Sequence, residues 1–517
     1  MRRKGANGRT EPLLRWVVRV WGTAPSRKAR CGGTKPVTGP AGHAHGPSAS
    51  RKSVGDLAIV LHSHMPYVEG FGTYPFGEEW LFDAVIRSYL PVLGVARDLT
   101  MTVTPVLADQ LEDRGVQQRL VEFCRAYRVG SAEADLEQVP AECRAAVAAE
   151  LERYREALAG LEDCGGDVLS RFAGAATAGR VELMASAATH AVLPLLATDA
   201  GVRLQVRAGI DAHRRRFGWS GGFWLPECAY AQDLEDVLAA HGVEWFCVDQ
   251  SSHEPAAAAL APIATGAGPI AFPIDWEAIS WLWSLDGYPS HPDFAQFEGK
   301  SLRGMRMWRI GGGAYDPDAG REAAVAAADT FLAAVRDRLA AHAEREGGRG
   351  LLVFAIDTEL IGHWWSEGVI WLETVLDGAA EMGISLVSLG AARESHPAQL
   401  RPLAAGTWGE AKDFRTWDSP PVRDMAWASR RLELRLLRAL RSGLNSASAQ
   451  RAARELLAVQ ASDWAFLDSR GQAGDYPFTR ATDHAEALLE ALDSPRQEAP
   501  ALRGLAPDLS LAPLLQT

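Results

Sequence analysis

Two stretches of this 517-residue chain close a short apolar run with an acid. In Leu351 to Gly368, LLVFAIDTELIGHWWSEG, six apolar residues lead into Asp357, and Glu359, His363, Trp364, Trp365 and Glu367 follow. The run is too short for a helix of its own and rich in strand formers, which predicts a fully buried strand. An acid at the C-terminal end of a buried parallel strand sits where α/β barrels keep their chemistry, although the same residue could cap the next helix. Gly221 to Tyr230, GGFWLPECAY, repeats the design: a short apolar strand, then Glu227, then a helical stretch over Asp233 to His241. Two carboxylates closing strands of one parallel sheet would face one pocket, ringed by Trp224, Trp364 and Trp365. Such a pair suits glycoside chemistry, in which one acid protonates the glycosidic oxygen and the other attacks the anomeric carbon. Sugar rings bury their C–H faces on flat aromatic rings, and a load of 17 tryptophans fits that use.

Other polar groups fall at strand ends too. Asp56 to Leu61, DLAIVL, predicts a first buried strand ending in His62-Ser63-His64. Histidines at that spacing can ligate a metal if a carboxylate is near, can bond sugar hydroxyls, or can be satisfied by backbone groups. A strand over Val181 to Leu183 precedes Ala185-Ser186 and Thr189-His190, which puts His190 on the same face. Further strands are expected at Met101 to Leu107, Trp245 to Asp249 and Ile384 to Leu389. Phe272 to Pro289, with three tryptophans among turn residues, reads as a binding rim. Helices are expected at Leu81 to Leu99 and Ala323 to Glu346.

The chain is long enough for two or three domains, and its 47% apolar and 23% charged residues are those of a globular protein. Strand signals vanish between about 109 and 178, which predicts a helical insertion between sheet strands. After Pro397 to Pro402 the pattern is again helical, to about 495. The catalytic body therefore spans 54–396, a helical C-terminal domain 397–495, and a tail 496–517. Residues 1–53 carry twelve Lys and Arg against one acid, Glu11; that balance of +11 leaves −23 for the rest of a chain whose net charge is −12. An acidic body excludes a nucleic-acid partner and suits a neutral polymer. No run approaches the roughly twenty apolar residues a membrane span needs. The six cysteines show no paired spacing, so a reduced, cytoplasmic protein is expected.

With these patches in hand, the sequence resembles glycoside hydrolase family 57. HSHMPYV at 62–68, VELMASAATHAVLPL at 181–195, WLPECAY at 224–230, FAIDTELIGHWWSEG at 354–368 and QASDWAF at 460–466 resemble that family's five motif regions, in order. Within it the chain is most similar to the α-1,4-glucan branching enzymes. The resemblance implies an α/β fold, an incomplete (β/α)7 barrel with a helical C-terminal domain, acting on α-glucan such as amylose or a glycogen-like polymer. It implies a retaining transglycosylation that forms α-1,6 branches, without a metal or other cofactor. Carried across by motif, Glu227 is the nucleophile and Asp357 the acid/base. His62, His64, Trp80, His190, Trp283, Trp408, Trp417 and Asp463 line the glucan site, with His363 and Trp364 beside Asp357. The 250–270 stretch and the WSLDGYP region depart from the family pattern, where an arginine is usual near Ile274-Asp275, so the ratio of transfer to hydrolysis does not follow from the resemblance.

Three rivals differ in an observable way. A 4-α-glucanotransferase or amylase would use the same carboxylates, a metal-dependent polysaccharide deacetylase would lose activity to a chelator, and a non-catalytic glucan-binding protein would not turn over. Residues 1–53 lack the apolar content to offset the entropy of ordering them. Deleting them is expected to leave melting temperature and activity nearly unchanged; a large drop in either would place the basic segment on the acidic body.

Overall fold

The computed structural model of the protein describes residues 53–74, 76–252, 260–284, 287–493 and 504–515. The expected basic tail, 1–53, lies outside these residues except for Ser53, as do 496–503 and 516–517 of the expected C-terminal tail. Ten strands of the described chain form one sheet: β1 (Gly55–Ser63), β2 (Leu99–Val103), β3 (Val181–Ser186), β4 (Gly222–Trp224), β5 (Trp245–Asp249), β6 (Ile263–Ala264), β7 (Ile270–Ile274), β8 (Gly350–Asp357), β9 (Ile384–Leu386) and β10 (Gln399–Leu400). Seven of them run parallel in the order β7-β5-β4-β3-β2-β1-β8 and curl into a barrel. The two ends, β8 and β7, meet through the Asp275 N–H donating to the Val353 carbonyl at 2.8 Å rather than through a ladder. This is the incomplete (β/α)7 barrel.

β1 pairs with three other strands, β2, β8 and β9. All nine of its residues are buried, as expected for a strand covered on both faces. One edge pairs with β8 from Gly55–Gly350 up to His62–Asp357. The other edge is shared: β2 takes Val60 to Ser63 and β9 takes Gly55 to Leu57.

The connections correct several boundaries. The strand expected to reach Leu107 ends at Val103, because Pro105, whose fixed φ suits a first helical turn, opens the helix Pro105–Glu112. From there to Thr177 the chain is helical. The aromatic stretch expected as a turn-rich rim contains a helix, Trp276–Trp283, whose N-terminus is capped by the Asp275 carboxylate accepting the Ala278 N–H at 2.9 Å.

The C-terminal helices Arg423–Arg441, Ser446–Val459, Ser462–Ser469 and Tyr476–Asp493 surround a second core containing Leu436, Leu456, Leu457 and Leu488. Residues 504–515, expected as tail, belong to that core. Leu505, Leu509 and Leu514 are buried in it, and the Arg454 guanidinium donates to the Leu505 and Ala506 carbonyls at 3.0 and 3.1 Å. A buried polar belt fastens these helices to the barrel. Glu433 accepts from the Thr198 hydroxyl at 2.5 Å, the Ala197 N–H at 3.1 Å and Gln460 at 3.0 Å. Gln460 in turn accepts from Gln205 at 3.0 Å. Each group in the belt is satisfied, so burial does not leave a desolvated polar atom behind.

The helix Asp199–Phe217 crosses the end of β3 at Gly209, where a Cβ would stand 1.9 Å from the Ser186 carbonyl oxygen. Gly209→Ala is therefore expected to force the helix off β3 and destabilise the protein by roughly 1–3 kcal/mol. Gly160→Ala, in a helix with nothing within 4 Å of the added carbon, is expected to stabilise by about 0.5–1 kcal/mol. Thermal unfolding of the two variants checks the contrast.

Candidate active site

The C-terminal ends of β1, β3, β4 and β8 converge. β4 ends at Trp224, and Leu225-Pro226 carries the chain to Glu227, which sits in the left-handed region at φ 60°, ψ 20°. Cys228 and His190 also have positive φ, 48° and 58°. For residues with a side chain such backbone costs on the order of 1–3 kcal/mol and persists where the surroundings enforce it. Here the surroundings do so. The Glu227 carbonyl accepts the Trp408 N–H at 2.9 Å. Its carboxylate accepts the Trp408 indole N–H at 2.8 Å on Oε2 and the Ser462 hydroxyl at 2.9 Å on Oε1. Both donors come from beyond the barrel strands.

The Ser462 bond sets the direction of a longer chain. Because the Ser462 hydroxyl gives its proton to Glu227, its oxygen accepts from His190 Nδ1 at 2.9 Å. His190 Nε2 is then the acceptor at 3.0 Å from His62 Nε2, and His62 Nδ1, buried without a partner among the described residues, carries the bare lone pair. Both rings are thus neutral. Burial, aided by the charge of His64, holds both well below the usual histidine range. His62 stacks on Trp224 with centroids 4.6 Å apart, and Trp224 meets Trp408 edge-on at 5.1 Å.

His64 behaves differently. It bonds Asp463 at 3.0 Å through Nε2 and Thr104 at 3.0 Å through Nδ1. Burial opposes its charge, but Asp463, with Glu359 and Glu227, raises it above the ordinary range.

Asp357 stands next to His62, its partner in the β1–β8 register. Its carboxyl has no hydrogen-bond partner among the described residues. Burial, then the charges of Glu359 and Glu227, lift it well above the carboxylate range. Burial also pushes Glu227 up, to about 7, although the Trp408 and Ser462 bonds pull the other way. Glu359 is likewise pushed up to about 7 by burial, opposed by the Tyr89 hydroxyl and the His64 N–H that it accepts. The result is a pair of unlike carboxyls: Asp357, whose protonated form is favoured, beside Glu227, whose charged form two donors favour. That is the order a general acid and a nucleophile require.

Of the residues singled out from the sequence, His62, His64, His190, Trp408 and Asp463 join the two carboxyl groups. Trp80 lies half-buried against Phe76 and Tyr476, each at 5.6 Å. His363 and Trp364 pack with Phe297 at 5.9 and 4.7 Å, and Trp283 ends the helix over the main core. Trp417 is buried with Val192 and Ala229, with Gly409 against its ring. Trp365, expected on the pocket ring, is a core residue packed on Phe294 and Trp371. Trp224 forms the floor under His62 rather than an open platform. Among the described residues no three His, Cys, Asp or Glu side chains converge as a metal-ligand set. Ser462, Thr104 and Tyr89 also belong to the site and are not among the residues that the sequence pattern singles out. Ser462 had a signal, since it adjoins Asp463 in QASDWAF; Thr104 and Tyr89 had none.

A family model described as glycosyl hydrolase family 57 matches residues 58–270. A second, described as the C-terminal region of 1,4-alpha-glucan branching enzymes, matches 425–506. The chain is 31% identical over 490 residues to a 1,4-alpha-glucan branching enzyme of Thermococcus kodakarensis, a match covering 83% of this chain and 72% of that protein. It is 32% identical over 497 residues to a probable 1,4-alpha-glucan branching enzyme of Mycobacterium tuberculosis, covering 84% and 91%. Among solved structures, the branching enzyme of Pyrococcus horikoshii superposes with a TM-score of 0.80 at 30% identity, covering 87% of this chain and 98% of that one.

Trp408→Phe keeps an aromatic ring beside Trp224 but removes a donor to the charged form of Glu227. A hydrogen bond to a charged group is worth roughly 1.5–3 kcal/mol, so the acid limb of the kcat/KM profile is expected to move up by about one to two pH units. A limb that stays in place would remove Trp408 from control of the Glu227 charge.

Proposed function

The chain belongs to glycosyl hydrolase family 57, and we propose that it works as a 1,4-α-glucan branching enzyme with Glu227 as nucleophile and Asp357 as acid/base. The observation that carries the assignment of roles is the pair of unlike carboxyls: Asp357 unbonded, with its protonated form favoured, and Glu227 gripped by two donors that favour its charge. The likeness to branching enzymes over most of the chain supports the reaction, and the match at 425–506 supports the same reading for the C-terminal helices.

In the first half-reaction Asp357 gives its proton to the glycosidic oxygen while a Glu227 oxygen bonds the anomeric carbon. The leaving chain departs with a new 4-hydroxyl, and the donor remains as a β-glycosyl ester. Esterification removes the Glu227 charge, so one of the influences raising Asp357 disappears and the carboxylate becomes easier to form. Asp357 then takes the proton of an acceptor 6-hydroxyl as that oxygen displaces Glu227, and an α-1,6 branch results. His62 and His190, both neutral, hold Ser462 against the nucleophile. His64, its protonated form favoured by Asp463, spends its two ring nitrogens on Asp463 and Thr104 and so ties the end of β1 to the C-terminal helices.

Whether the ester is taken by water, a 4-hydroxyl or a 6-hydroxyl depends on the acceptor and on how well water is excluded. The proposal extends to a glycogen-like polymer as product and to the cytoplasm as location. The five described cysteines are free, which suits a reducing compartment, and no described helix is long and apolar enough to cross a membrane.

Amylose treated with the protein is expected to lose its iodine colour with few new reducing ends, and a debranching enzyme is then expected to release short linear chains. Reducing ends rising in step with colour loss would make it an amylase. Chains redistributed in length with nothing released on debranching would make it a 4-α-glucanotransferase. Asp357→Ala should keep residual turnover on glycosides with a good leaving group, which need no protonation, whereas Glu227→Ala should abolish it.

A further inference from the structure

Away from the carboxyl pair, a cavity of about 410 Å³ opens between the helix that follows β1, the helical insertion and a hairpin that turns between Lys300 and Arg306. Tyr74 and Tyr127 stand at its edge, 52% and 55% exposed, with ring centroids 6.5 Å apart. Leu302, fully exposed at the hairpin tip, is at the mouth. Exposed apolar and aromatic groups gathered round a concavity mark a binding surface rather than ordinary surface scatter.

The charged lining indicates what kind of ligand. Arg128 grips Asp83 through two bonds of 2.6 Å. Arg303 donates to Asp135 at 2.9 Å. These guanidinium groups are already neutralised by carboxylates. The further ammonium of the lining, Lys300, is turned onto the Phe297 ring and lowered to about 8 by burial, with Glu79 also in the lining, so the cavity does not gather the several cations an anion needs. It offers fixed, paired donors and acceptors beside flat rings, the combination that hydrogen-bonds hydroxyls and stacks on sugar C–H faces. Its volume lies within the roughly 300–1,000 Å³ of ligand sites.

Two trains of contact tie the cavity to the catalytic centre. Lys300, in its lining, lies over the Phe297 ring at 4.4 Å, and Phe297 packs on Trp364 at 4.7 Å and His363 at 5.9 Å, on the segment that begins at Asp357. The loop that carries Tyr74 also carries Phe76, which starts a run of rings: Phe76 to Trp80 at 5.6 Å, Trp80 to Tyr476 at 5.6 Å and Tyr476 to Trp464 at 6.4 Å. Trp464 adjoins Asp463, the partner of His64.

We infer that the Tyr74–Tyr127 cavity is an outer docking site for α-glucan, holding a stretch of polymer remote from the bond being cut. The inference rests on the α-glucan reading of the main site. An outer hold of this kind favours long chains, because only a chain that reaches both sites gains from the second.

Full-length protein carrying Glu227→Gln, titrated calorimetrically with maltoheptaose, is expected to show a second, weaker binding step in addition to that of the main cleft. Adding Tyr74→Ser with Tyr127→Ser should abolish the second step, and Tyr74→Phe with Tyr127→Phe should keep it, since the ring face does the stacking. Both tyrosines are more than half exposed, so the Ser pair should melt with its parent; if it melts lower, each single Ser variant reads the same step. An isotherm that the Ser pair leaves unchanged overturns the inference. So does binding of inorganic phosphate that the Ser pair removes while the glucan isotherm stands, which would make the cavity an anion site. Failure of the branching reading would appear separately, in the products formed from amylose by the unmodified protein.

Discussion

Holding a carboxylate ready to react inside a buried pocket is the constraint around which this molecule is built. Glu227 sits on left-handed backbone, with water largely excluded, and burial alone would keep it protonated. Two hydrogen bonds, from Trp408 and Ser462, favour the charge instead. Neither donor belongs to the strand that delivers Glu227. One comes from the loop after the last barrel strands and the other from the first turn of a C-terminal helix, so the nucleophile is complete only when the helical domain is docked. The buried belt of Glu433, Gln460, Gln205 and Thr189 makes that docking specific.

The barrel contributes by register. Pairing of β1 with β8 along their whole length brings His62 level with Asp357. The His62–His190–Ser462 chain then crosses from β1 through the β3 loop to Glu227. A slip of one residue between β1 and β8 would turn Asp357 toward the helices. The gap between β8 and β7, bridged by a single backbone bond, leaves the curled sheet open on the side where the Trp276–Trp283 helix packs.

Electrostatics separates two groups of the same chemical type. Asp357 is a partly buried carboxyl and Glu227 a buried one, but one lacks a donor and adjoins Glu359, whereas the other has two donors. The same contrast distinguishes the histidines: His62 and His190 pass one proton direction along a neutral chain, whereas Asp463 favours the protonated form of His64. Acid, nucleophile and neutral relay all arise from environment and not from residue type.

Much of this was legible in the chain itself. Buried parallel strands are written as uninterrupted apolar runs, so β1, β5 and β8 could be read from composition, and acids placed directly after such runs pointed to Glu227 and Asp357. Five ordered motifs carried the family. Local patterning could not supply the partners. Ser462 and Trp408 lie 235 and 181 residues from Glu227, and no periodicity reports a contact at that separation. Nor could it sort the tryptophans: Trp224, Trp365 and Trp417 are buried and Trp364 is partly open, yet all four are the same letter beside similar neighbours. Hydrophobic patterning reports which residues leave water, because that depends on the side chain alone. Which charge a buried carboxyl keeps depends on groups the folded chain brings to it, and that was settled by the docking of the helical domain on the barrel.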